Sequence, residues 1–213
     1  MTLDDASRLR EEDPFTGDAV KGLPTYTIAC RSRFEIDLNR NRETAIYRKP
    51  EDSWGLRVWR TEPSDMVCRK ALAYYDAYYA HIAAVLDSVA SEHEKFVLLD
   101  VHSYNHRRSG VGTDPTPQED APDINIGTIS MPRAEWAFLL DPLMEVMRNY
   151  NFAGRNLDVR ENVAFQGRGE QTRFVHKRYP GRACAIALEF MKIYLDEWTG
   201  EPDPRALIAM RGL

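Results

Sequence analysis

The side chains best suited to chemistry cluster in one short stretch, Asp100-Val101-His102-Ser103-Tyr104-Asn105-His106, directly after the apolar run Phe96-Val97-Leu98-Leu99. A histidine set among carboxyl, hydroxyl and amide groups suits a metal ligand or a general base. Imidazole can bind a cation through a neutral nitrogen, and it changes charge near neutrality. The plainer reading of His102 is a hydrogen-bonded histidine at a strand end, and composition alone does not choose between them. A second apolar run, residues 183–188, ends in Glu189. If two such strands lie side by side, His102 and Glu189 bring a ligand or base next to a carboxylate. In open α/β sheets, ligands bind outside the carboxyl ends of strands, so this is where a site is expected.

Several elements must position these groups. The run at residues 96–99 reads as a strand buried on both faces of a sheet. Residues 25–30 are rich in β-branched side chains and also read as a strand. In residues 33–39, apolar Phe34, Ile36 and Leu38 alternate with Arg33, Glu35, Asp37 and Asn39, which predicts a half-buried strand with a polar face. Residues 41–63 form a long loop anchored by Tyr47, Trp54 and Trp59. After Pro63, Ser64 is placed to cap an amphipathic helix whose apolar stripe runs from Val67 to Val89, leaving His81 and His93 on the surface. Residues 107–123 hold Gly110, Gly112, Pro115, Pro117 and Pro122 among charges and predict a mobile loop beside the site, placed as a lid. Residues 124–128 and 157–165 read as strands. Pro132 opens a helix with Trp136, Leu139, Leu140, Leu143 and Met147 on one face. Residues 171–179 predict a short helix, closed by Pro180-Gly181, from which His176 either reaches the site or lies at the surface. A last helix begins at Pro204. Strands alternating with helices predict an α/β fold of three layers, a mixed and largely parallel sheet flanked by helices.

A net charge of -5 and a pI near 5.6 argue against a general nucleic-acid surface. No apolar run approaches the roughly 18 residues of a membrane span, and no secretory signal opens the chain. Cys30, Cys68 and Cys184 are odd in number and widely spaced, without a CxxC pair. They fit reduced cytoplasmic thiols and exclude a cysteine-built zinc cluster.

Taken together, the motifs give the chain a resemblance to the N-formylglutamate amidohydrolase family, relatives of the zinc carboxypeptidases. The resemblance rests on Ser32-Arg33-Phe34-Glu35-Ile36-Asp37-Leu38-Asn39-Arg40, on residues 100–108, on Glu161-Asn162-Val163-Ala164-Phe165-Gln166-Gly167, on Ala187-Leu188-Glu189-Phe190-Met191-Lys192 and on Asp196-Glu197-Trp198-Thr199-Gly200-Glu201-Pro202. It implies a zinc enzyme that hydrolyses the amide of an N-acyl amino acid such as N-formylglutamate, with a small-molecule partner and neither nucleic acid nor membrane. On that resemblance His102 is a metal ligand, and the acidic turn Glu11-Glu12-Asp13 holds a second, Glu12 being favoured. Glu189 is the general base and acid, and Asn39, Arg40 and Arg168 bind a substrate carboxylate. Arg33, with Arg168, stabilises an oxyanion. These residue types suit those tasks. A catalytic zinc keeps three protein ligands and an open position, a nearby carboxylate shuttles the proton, and guanidinium pairs with carboxylate in bidentate fashion. The resemblance also makes residues 1–213 one amidohydrolase-like domain without the family's N-terminal strand and His-x-Gly turn, where the first metal ligand lies. No histidine precedes His81. The alternatives are a zinc peptidase on small peptides and a non-catalytic relative that binds a carboxylate. A serine-hydrolase reading through Ser103 lacks the nucleophile-elbow glycines.

Overall fold

The computed structural model describes residues 2–213. Four strands form one sheet in the order β1-β4-β2-β3, with β1 at Phe96–Tyr104, β2 at Ile124–Gly127, β3 at Val159–Glu161 and β4 at Ala183–Met191. β1 runs parallel to β4 and β2 parallel to β3, while β2 is antiparallel to β4. Six α-helices accompany them: α1 (Asp5–Glu11), α2 (Thr16–Val20), α3 (Asp65–Glu92), α4 (Ala137–Asn149), α5 (Glu170–Arg178) and α6 (Pro204–Gly212).

Side-chain alternation along the strands sorts these helices into layers. Phe96, Leu98, Ala183 and Ala185 point to one face, where they meet Ile82 and Leu86 of α3, Val175 of α5 and Tyr179 just after it. Ile124, Ile126, Ile186, Leu188 and Phe190 point to the other, against Leu140, Met144 and Met147 of α4 and Ala206, Ala209 and Met210 of α6. The result is the expected three-layer α/β arrangement with a mixed, mostly parallel sheet. β4, with a strand on each edge and helices over each face, is buried at all nine positions. α3 opens as expected, the Ser64 hydroxyl accepting the Val67 N–H at 3.5 Å, and His81 and His93 are exposed.

Several expectations are corrected. β1 is not buried on both faces: among the described residues it pairs only with β4, and at this edge Val97 is 44% exposed. Residues 25–30 form no strand: Thr25 lies in a bend and the rest has no regular secondary structure. Residues 33–39 are turns rather than a strand. Phe34 and Ile36 lie inside as the alternation implies, but it breaks at Asp37, which is buried while Leu38 is only partly so. The Asp37 N–H bonds to the Ala45 carbonyl at 2.7 Å while the Asp37 carboxylate takes the Asn39 N–H at 2.9 Å, folding the segment onto the next loop. The strand expected over residues 157–165 stops at Glu161, because Asn162 adopts a left-handed φ of 57° and turns the chain across β2. Within the 41–63 loop Tyr47 is buried, but Trp54 is 48% exposed and lies over the Arg33 guanidinium instead of anchoring the core.

Candidate functional site

The sheet itself places the central pair. His102 and Glu189 are register partners on β1 and β4, and Asn125 of β2 is the partner of Glu189 on its other side. Partners in register share a face, so these three side chains form a row across the sheet near the carboxyl ends of the parallel strands, on the α3/α5 side.

The imidazole of His102 is held from both nitrogens. Nδ1 lies 3.5 Å from Asp13 Oδ2, and Nε2 lies 3.0 Å from Asp100 Oδ1 and 3.2 Å from the Asn39 amide. Burial works against a charge on this ring, but the carboxylates of Asp100 and Glu189 and the hydrogen bonds of Asp100 and Asp13 outweigh it and hold its pKa well above the usual value. Asp13 reaches the ring because α1 ends at Glu11 and Pro14 disfavours a helical conformation for the residue before it. Its Oδ1 accepts from the Ser103 N–H at 2.7 Å and the Ser103 hydroxyl at 3.0 Å. Although burial raises its pKa, the hydrogen bond and charge of His102 and the charge of Arg33 keep it well below the ordinary carboxylate range. Glu189 differs: burial dominates and pushes its carboxyl up to about 7, with His102 and Arg33 pulling the other way.

The other expected residues lie around this centre. The Arg33 guanidinium donates to Asp37 at 3.0 Å and sits 4.9 Å over the Trp54 ring, leaving its buried Nε without a partner. Arg40 stacks on Tyr47 at 4.7 Å and lies 3.7 Å from Asp37. Asn39 is enclosed by the start of α5: its carbonyl accepts the Glu170 N–H at 2.9 Å and its side-chain oxygen the Gln171 N–H at 3.4 Å. Arg168 is exposed and forms no ion pair among the described residues. Glu12 lines the same cavity as His102, but its carboxylate is taken by Arg8 at 2.7 Å and by the Ser32 hydroxyl. Glu11 lies 3.3 Å from Arg108. Of the three acids in the turn, Asp13 is the one that meets the histidine.

A cavity of about 480 Å³ opens onto Asp13, Arg33, Asn39, Asp100, His102 and Gln171, whereas Glu189, Arg40 and Arg168 do not line it. Leu99, Asp100, Val101 and His102 all face this space although their side chains alternate, so it abuts the open edge of β1. His176 takes no part: its Nε2 accepts the Ala185 N–H at 2.9 Å, four residues before Glu189 on β4. The base of the loop beginning at Arg107 is pinned, since Glu197 accepts the N–H groups of His106 and Arg107 at 2.9 and 2.6 Å. Gln171, which donates to Asp100 at 3.1 Å from 71 residues away, left no local signal in the sequence.

The donor set can be tested against a metal. His102 Nδ1 and Asp13 Oδ2, 3.5 Å apart, are spaced about as two ligands on one tetrahedral zinc would be. Among the described residues, however, no three His, Cys, Asp or Glu side chains converge closely enough to hold an ion. A catalytic zinc needs three protein ligands. Two donors do not by themselves fit such a centre.

The geometry now stands beside known proteins. The family model for N-formylglutamate amidohydrolase matches residues 1–195. The fold is similar to the crystal structure of an N-formylglutamate amidohydrolase from Ralstonia eutropha JMP134, with a TM-score of 0.71, 16% identity, and coverage of 99% of this chain and 82% of that one. It is also similar to a gene product of Agrobacterium tumefaciens, with a TM-score of 0.50 and 16% identity over 84% of this chain and 63% of that one. No curated protein sequence matches significantly. No helix is long and apolar enough to cross a membrane among the described residues. With the family model spanning most of its length, the chain belongs to the N-formylglutamate amidohydrolase family.

Proposed function

We propose that the chain hydrolyses the amide bond of an N-acyl amino acid, with N-formylglutamate as the first substrate to try. The observation that carries this reading is the register pairing of His102 with Glu189 at the strand ends, beside a cavity that His102 lines. Glu189 is the base. A carboxyl group that titrates near the working pH can take a proton from an attacking water and return it to the leaving amine. Carbonyl attack develops a negative oxygen, and the positive groups gathered here are the His102 ring and the Arg33 guanidinium with its free Nε. Asp13 and Asp100 fix the plane of the His102 ring by engaging both nitrogens. Asn39 lines the cavity and Arg40 follows it in the chain, so these two, with Arg168, are the groups offered for a substrate carboxylate.

The test is formate release from N-formyl-L-glutamate by the purified chain, with and without added zinc, compared with Glu189→Gln. Release by the parent chain and loss of at least about a hundredfold in the variant are expected, the size typical of a general base. A folded chain that releases no formate under either condition refutes the reading. The two-donor set favours a second one, retention of a small carboxylate without cleavage, which calorimetric binding of N-formyl-L-glutamate with no formate would reveal.

A further inference from the structure

Lys192 and Tyr194 stand just beyond β4, and the chemistry above makes no use of them. Lys192 is 2% exposed, yet its ammonium forms no salt bridge among the described residues. Its Nζ donates instead to the backbone carbonyls of Arg10 and Glu12, the second at 2.8 Å. Tyr194 is fully buried and donates its hydroxyl proton to the Pro14 carbonyl at 2.9 Å. The two side chains therefore grip main-chain oxygens on both sides of Asp13. The turn lies between α1 and α2, and its other main-chain tie on the α2 side is local, the Asp13 carbonyl accepting the Thr16 hydroxyl at 2.8 Å. Burying an ammonium against carbonyl dipoles is costly when an apolar residue could fill the space, so the placement calls for a reason.

We propose that Lys192 and Tyr194 are positioning residues that seat Asp13 against His102 and Ser103. The kinetic consequence rests on the hydrolase reading, but the structural one does not. Asp13 reports its own seating through the Ser103 N–H, which it accepts at 2.7 Å from 90 residues away.

The experiment measures amide hydrogen exchange and steady-state kinetics on Tyr194→Phe and Lys192→Met. Tyr194→Phe deletes one hydroxyl and keeps the ring packed. The Ser103 amide should exchange about fivefold faster, the factor for losing one ordinary hydrogen bond, while the amides of Ala185 to Leu188 keep their protection. In the kinetic arm, kcat should fall by a similar factor with KM unchanged, and the retained protection of Ala185 to Leu188 shows that the fall does not come from a smaller folded fraction. Lys192→Met, where it folds, should do the same more strongly, and where it does not fold Tyr194→Phe decides the matter. Unchanged exchange at Ser103 in a folded Tyr194→Phe overturns the proposal. If the parent chain proves inactive, the hydrolase reading fails and the exchange result still judges the clamp.

Discussion

Asn125→Ala is the sharpest perturbation of the scaffold beneath the site. Asn125 is fully buried in β2, next to Glu189 in the register. Its Oδ1 accepts the N–H groups of Val163, Ala164 and Phe165 at 2.9, 2.9 and 3.3 Å, and its Nδ2 donates to the Phe165 carbonyl at 2.7 Å. One amide thus closes the turn that follows β3. Removing four hydrogen bonds at about 1 kcal/mol each sets an upper figure of about 4 kcal/mol. Val163 and Phe165 are 38% and 40% exposed, so water replaces part of the loss, and about 3 kcal/mol is expected. For a chain of this size that corresponds to a melting temperature lowered by about 6–12 °C. Thermal unfolding followed by circular dichroism measures it. Asn125→Asp is the informative companion: it keeps the acceptor, loses the donor and places a carboxylate beside Glu189. It should therefore melt closer to the parent at pH 5 than at pH 8. An alanine variant melting within about 2 °C of the parent would refute the argument that this side chain organises the turn.

Two further outcomes follow from groups outside the row of His102, Glu189 and Asn125. Burial lowers the pKa of His176 below its unfolded value, so the unfolded chain binds the extra proton first as pH falls. Its contribution to stability is complete above about pH 6.5 and is lost progressively below it, and replacing it by Gln should flatten the fall in melting temperature between pH 7 and 5. Gly167 has φ +70°, and a Cβ there would lie 2.4 Å from the carbonyl carbon of Gly127. Gly167→Ala should therefore destabilise by at least about 3 kcal/mol in denaturant unfolding, and a loss under about 1 kcal/mol would show that the two backbones can part freely.

The strands and helices that carry strong periodic or apolar signals were legible in the sequence. The run before His102, the run before Glu189 and the stripe of α3 became β1, β4 and a helix in their expected places. The alternation at residues 33–39 misled because Phe34 and Ile36 are buried by successive turns packed on the core, and the polar Asp37 between them and Leu38 is buried too, where its carboxylate meets Arg33 and Tyr47. That His102 and Glu189 come together could be proposed because each ends an apolar strand, although their exact register is visible only in the structure. Which acid meets His102 could not. Glu11, Glu12 and Asp13 are equivalent as residue types, and their directions depend on where α1 ends and on partners as distant as Arg108 and Ser32. The clasp of Asn39 by α5 and the reach of Gln171 to Asp100 join segments far apart in the chain, and no local pattern encodes them.

The open edge of β1 has a consequence for how the molecule behaves in company. Backbone groups alternate in direction along a parallel strand, and the Ser103 N–H points to Asp13, away from β4. By the same parity Val97, Leu99 and Val101 direct their N–H groups outward, where no strand among the described residues takes them. Such a row is a template for another chain's extended backbone, and the exposed Val97 adds an apolar foothold at one end. Asp13 acts as a stopper at the other end, occupying the N–H that would continue the ladder. Pairing of this edge with another chain's backbone would therefore have to start at the Val97 end of the strand, and a charge introduced there, as in Val97→Lys, is the change that would oppose it.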